Sequence, residues 1–235
     1  MWCATTWIAA ASVLNVCRAA AKLAFRWLTR NGNWPACIAA ILSTYSETQR
    51  IFRMSWTKTF EQALIRLNEH HSPLRIAVVG LGHPLLGDDA AGHELAHRLK
   101  EALQDHEDVL VVASGSVPEN VSGSLRRFWP DLVILIDAAE LGEEPGSMRW
   151  IPWQEASCCR SSSHSLPLRD VCAYWQQELL SEIWLLGIQP SAIRFDTPLS
   201  PTLRSTIDSA SKKLISLLDL HHPARRKPEE LHESP

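Results

Sequence analysis

The sequence predicts an α/β fold of three layers: a twisted, mostly parallel five-stranded sheet with helices on both faces. Three observations carry that expectation. From residue 54 onward, short apolar runs of strand length alternate with helical patterns. One run, Leu132–Ile136, is continuously apolar, as a central strand buried on both faces must be. The stretch Val78–Gly92, VVGLGHPLLGDDAAG, reads as strand, glycine-bearing loop and helix. That is the opening unit of a sheet whose ligands sit at the carboxyl ends of its strands.

The elements follow in order. Phe60, Leu64 and Leu67 fall at i, i+4 and i+7, giving a short amphipathic helix that ends near His70–His71, before Pro73. The first strand is Leu74–Val79, and the helix after Asp89 carries Ala91, Leu95, Leu99 and Ala102 on one side. Val109–Ala113 is the second strand, followed by a turn, Ser114–Asn120, and a helix from Asn120 to Phe128. The third strand delivers Asp137 at its carboxyl end. Pro145–Gly146 turns the chain into a fourth strand, Met148–Ile151. Residues 154–165, QEASCCRSSSHS, are a polar, serine-rich loop. A helix over Leu168–Leu180, a fifth strand over Glu182–Ile188 and a last helix over Leu199–Leu220 complete the domain. In that last helix Leu203, Ile207, Ala210, Leu214 and Leu217 repeat at helical spacing.

Both ends differ from this core, so the chain divides into 1–53, a domain over 54–222 and a tail over 223–235. Residues 1–53 hold four tryptophans and no acidic residue before Glu47, and Arg18, Lys22 and Arg26 break the apolar stretch too early for a membrane span. The segment reads either as a membrane-surface amphipathic helix or as sequence outside the mature protein, with Met54 as the start. The tail is charged and proline-bearing, and expected to be disordered.

Composition excludes several classes. A net charge of −3 without a long Lys/Arg run gives no electrostatic case for nucleic acid. The six cysteines lack CxxC spacing and read as free thiols of a reducing compartment, which points to the cytoplasm. No membrane is expected for the core domain. The loop after the first strand is not a dinucleotide fingerprint, because GxGxxG needs glycine where Leu85 stands, and its two carboxylates would repel a pyrophosphate.

The chemistry-bearing residues each have a bland explanation as well. Asp88–Asp89 precede a helix, where an aspartate often only caps free amides; two adjacent acids exceed that need. Asp137 ends a strand, where turn-forming aspartates are common, yet in a parallel sheet it opens on the same side as Asp89. His164 lies in the serine-rich loop, and with the two carboxylates it completes an Asp/Asp/His set suited to zinc or nickel. His93-Glu-Leu-Ala-His97 is a literal HExxH, the zincin ligand pattern. Its phase sets both histidines opposite the buried side of the helix, where a zinc site lacks dry walls. Cys158–Cys159 near His164 could form a Cys–His nucleophile, but nothing nearby would lower a thiol pKa.

Five motifs occur in order: Gly82-His-Pro-Leu-Leu-Gly-Asp-Asp89, Gly115-Ser-Val-Pro-Glu-Asn120, Ile136-Asp-Ala138 with Pro145-Gly146, Ser163-His-Ser-Leu-Pro-Leu168 and Leu186-Gly-Ile-Gln-Pro190. Together, over residues 74–220, they resemble the hydrogenase maturation endopeptidases, with a phosphorylase/hydrolase-like fold. The resemblance implies a monomeric, cytoplasmic protease that trims the C-terminus of a nickel-iron hydrogenase large-subunit precursor already carrying nickel. It sets Asp89, Asp137 and His164 on the family's three metal-ligand positions. Beside the resemblance, an unengaged carboxylate, Asp88 or Glu119, is expected to take the proton from the attacking water. His83 stands where the family has Asn, as an added nitrogen ligand or a loop contact. Ala90 replaces a common Gly. Ala113 replaces a frequent acidic residue, which would alter nickel recognition. Two other classes stay open: a zincin-type hydrolase using His93 and His97, and a non-catalytic chaperone that holds metal or the precursor.

Overall fold

The computed structural model describes residues 55–71, 73–158 and 168–221. Helix α1 (Trp56–Asn68) leads into strand β1 (Ile76–Leu81), and a 3-10 turn over Gly87–Ala90 leads into α2 (Ala91–Ala102). Strand β2 (Val109–Gly115) is followed by a 3-10 turn over Pro118–Val121 and by α3 (Ser122–Phe128). Then come β3 (Leu132–Ala138), β4 (Met148–Pro152), a 3-10 turn over Trp153–Cys158, α4 (Leu168–Leu179), β5 (Glu182–Ile188) and α5 (Pro201–His221). The residues 1–53 and 223–235 assigned to the flanking segments lie outside the described residues.

The five strands lie in the order β2-β1-β3-β5-β4. The first four in that order pair in parallel and β4 pairs antiparallel on β5. No helix separates β3 from β4, so the chain turns back at the carboxyl end of β3 and β4 runs antiparallel to β3 and to β5, its neighbour in the sheet. The sheet is thus mostly parallel with one antiparallel edge, as expected.

The pleat divides the core in two. Ile76, Val78, Leu132, Ile134, Ile136, Leu186 and Ile188 face α1, α2 and α5. Ala77, Val79, Leu81, Val133, Leu135, Ile183 and Leu185 face α3 and α4. This is the three-layer architecture that a continuously apolar central strand requires, and all seven residues of β3 are buried.

Some boundaries move. Strand β1 runs to Leu81 rather than Val79, because Gly80 stays in register with Ala113 and Ile136 while lying under α2. The last buried position beyond α2's core is Leu103, not the exposed Ala102, because the helix ends at Ala102. In α5 it is Leu218 rather than Leu217 that is fully buried.

Candidate active site

Strand β1 has β2 on one side and β3 on the other, so the connections leave it in opposite directions. Outside the carboxyl ends of β1 and β3 such a switch point opens a crevice, the usual ligand position in this class of sheet. Two glycine contacts bring α2 onto that edge. A side chain on Gly80 would stand 2.2 Å from the Gly92 carbonyl oxygen, and one on Gly92 would stand 2.1 Å from that of Ile136. Helix and strands therefore meet backbone to backbone. Gly82 has φ +111°, and a Cβ there would lie 1.8 Å from the Asp89 carbonyl oxygen. Only glycine lets the chain leave β1 and fold the acidic turn against it.

Asp89 is fully buried, and its Oδ2 accepts the His83 amide at 2.7 Å. Asp137 is 1 % exposed, in register with Gly187 and one residue beyond Ile136, whose carbonyl touches Gly92. Asp137 thus comes from the end of β3, and Asp89 from the 3-10 turn after the adjoining strand β1. His164, the third expected ligand, lies outside the described residues, as does Cys159; the side chain of Cys158 is not described either.

Asp88 has a different task from those the sequence suggests. Neither the 3-10 turn nor α2 has a side-chain cap. Instead the Asp88 carboxylate accepts backbone N–H groups from Ser191 (2.8 Å), Ala192 (3.1 Å) and Ser200 (2.7 Å). The Asp88 amide donates to Ala192, Asp196 N–H donates to Leu85, and Leu86 bridges Thr197. Asp88 therefore clamps the loop after β5 onto the loop after β1. At 1 % exposure this carboxylate is given over to three backbone amides of the loop after β5.

Glu119 sits on the turn after β2, which packs beside β1. Ser114 Oγ donates to Val117 O (2.9 Å), Ser122 Oγ donates to Glu119 O (2.7 Å), and Trp175 Nε1 donates to Ser122 Oγ (2.9 Å). Ala113 pairs with Gly80 on β1. His83 makes the loop contact, its Nδ1 accepting the Leu85 amide at 3.1 Å.

Gln189 is a fastener that sequence reasoning missed. Its Oε1 accepts Leu141 N–H (2.7 Å) and Glu143 N–H (3.3 Å), and its Nε2 donates to Glu140 (3.0 Å). It thereby holds the segment that follows Asp137. The signal was present: a glutamine between a buried strand end and Pro190, at 5 % exposure, must find partners.

The HExxH histidines lie off the buried side of α2, which is set by Ala91, Gly92, Leu95, Ala96 and Leu99. His97 is exposed, His93 half-buried, and the Glu94 carboxylate accepts Arg98 Nε at 3.2 Å. That carboxylate is committed to Arg98, with no sign of a water-activating geometry.

Two buried carboxylates thus lie at the switch point of an α/β sheet, where sheets of this class bind their ligands. Comparison with known proteins narrows that class. The family model "HycI: Hydrogenase maturation protease" matches residues 93–217. The hydrogenase 3 maturation protease of Escherichia coli is 28% identical over 135 residues, 57% of this chain and 85% of that one. A crystal structure of the NiFe hydrogenase maturation protease HycI from Thermococcus kodakarensis KOD1 superposes with TM-score 0.55 at 32% identity, covering 61% of this chain and 92% of that one. The solution structure of the endopeptidase HycI from Escherichia coli, at 23% identity and TM-score 0.51, covers 61% of this chain and 90% of that one and shows the same fold.

The chain belongs to the hydrogenase maturation protease family. It is a peptidase, as its sequence motifs imply. Among the described residues no helix is long and apolar enough to cross a membrane.

Proposed function

We propose that this peptidase removes a short C-terminal peptide from the nickel-loaded precursor of a nickel-iron hydrogenase large subunit, acting as a monomer in the cytoplasm. The observation that carries the reading is the placement of Asp89 and Asp137, both buried, in the turn after β1 and at the carboxyl end of β3. Two carboxylates with the His164 imidazole form a mixed O/N donor set, which nickel or zinc accepts. In this reading the nickel belongs to the substrate, and Asp89, Asp137 and His164 engage it to register the scissile bond. A divalent ion at that position polarises a carbonyl and acidifies water.

The other roles follow from the chain's own contacts. The His83 amide fixes the rotamer of Asp89. Asp88 and Gln189 hold the two loops that frame the crevice. Glu119 takes a proton from the attacking water and returns it to the departing amine, so that one C–N bond breaks as one C–O bond forms. A zincin reading through His93 and His97 loses support because Glu94 is paired to Arg98. A chaperone would bind the precursor and leave its mass unchanged.

Asp137→Asn tests the assignment, because it keeps side-chain shape and removes charge. Processing should vanish while the urea midpoint stays within the range of a conservative substitution. Normal processing by this variant would remove Asp137 from the mechanism.

A further inference from the structure

We propose that His93 and His97 form a two-histidine chelate on α2 for a late first-row divalent ion such as Cu2+, Zn2+ or Ni2+. The proposal is independent of the peptidase reading. The residues stand four apart on one helix, so their side chains lie one turn above the other. Their ring centroids are 4.7 Å apart, with planes at 69°. That separation can be compared with what a shared ion demands. With each nitrogen about 2.0–2.1 Å from the ion and an N–metal–N angle of about 90–110°, the ring centroids fall about 4.5–5.2 Å apart. The rings already stand at chelating distance.

The surroundings support ligation. Nδ1 of His93 is buried with no hydrogen-bond partner, so no neighbour fixes the tautomer and either nitrogen can carry the lone pair. Burial and the adjacent His97 lower the His93 pKa, against an opposing pull from Glu94, which favours the neutral imidazole that a metal ion needs. His93, though not the exposed His97, lines a cleft of about 290 Å³ together with Pro84, Ala90, Glu94, Leu199 and Arg204, so water reaches the pair from the cleft and from solvent. Arg98, on the same cleft, is neutralised by Glu94 and Asp208. Arg204 opposes a cation and keeps the site weak.

Among the described residues no third His, Cys, Asp or Glu completes a cluster. Water fills the remaining positions, and the ion exchanges freely. Affinity should follow the usual order, with Cu2+ above Zn2+ and Ni2+.

The test titrates the full chain with CuCl2, ZnCl2 and NiCl2 by calorimetry, and follows the histidine ring protons by NMR with substoichiometric Cu2+. The signals of His93 and His97 should broaden together. His97→Ala and His97→Gln, at an exposed position that tolerates both, should each lose about 10²-fold in affinity at this site, the gain from linking two ligands. Asp137→Asn should leave the broadening of these two rings intact. Unchanged binding in both His97 variants, or no effect on the His97 ring at millimolar ion, would overturn the proposal.

Discussion

Replacing Gly92 by alanine should destabilise the protein, although alanine is the better helix former. Propensity alone favours Gly92→Ala in a helix by about 1 kcal/mol. The structure reverses that sign. The added Cβ would stand 2.1 Å from the Ile136 carbonyl oxygen and 2.7 Å from both the Ile136 carbonyl carbon and the Leu81 oxygen. Favourable heavy-atom contact begins at about 3.5 Å, so α2 must withdraw by roughly 1 Å. Every atom in the way is strand backbone, so no rotamer change relieves the contact. Overpacking of this kind costs about 1–3 kcal/mol, and here relief requires moving a whole helix, so a net loss of about 2 kcal/mol is expected. The same displacement carries the acidic turn away from Asp137. A 1 Å misplacement costs on the order of 10²-fold in rate. Urea unfolding followed by circular dichroism, together with a precursor-processing time course, measures both effects. A Gly92→Ala protein as stable as the parent and fully active would refute the close helix–strand packing on which the site geometry rests.

Two further outcomes follow from individual contacts. Asp88→Ala strips the acceptor from three amides, two of them on exposed residues that water can reach, so the expected loss is about 2–4 kcal/mol. Limited proteolysis should then cut within 190–200, and an uncut loop would show that the clamp is dispensable. Burial raises the Glu155 carboxyl above the usual Glu range, with Arg149 partly opposing. Because the folded pKa lies above the unfolded one, the penalty is absent below the unfolded value and grows as pH rises through it, levelling off above the folded one. Glu155→Gln should therefore gain stability over the parent at about pH 8 and show no such gain at about pH 3. A gap in urea midpoint of equal size at both pH values would contradict this.

Strand β5 was legible to the residue, because Glu182–Ile188 is an apolar run closed by Gln189–Pro190. Strand β3 was legible as well, since only a central strand is apolar without interruption, although it runs two residues further, through Asp137 to Ala138. Strand β1 was read two residues short because Gly80 looks like a break. Its real cause is the carbonyl of Gly92, twelve residues away, against which no side chain fits. Asp88 was misread for a similar reason. An acid before a helix looks like a cap, and local sequence cannot reveal that its partners are amides more than a hundred positions downstream. The histidines of HExxH were legible from helical phase alone, because Ala91, Leu95 and Leu99 fix the buried side. Gln189 carried only its residue type as a signal. Its partners in 141–143 appear once β3 and β5 are known to be neighbours.

The central claim is that the crevice between β1 and β3 cuts a metallated precursor. The most direct measurement is the intact mass of a nickel-loaded hydrogenase large-subunit precursor, before and after incubation with this protein, beside the nickel-free precursor and the Asp137→Asn variant. Loss of a short C-terminal peptide only with nickel present and Asp137 intact is the predicted result. An unchanged mass with an authentic client, or cleavage indifferent to Asp137, would contradict it.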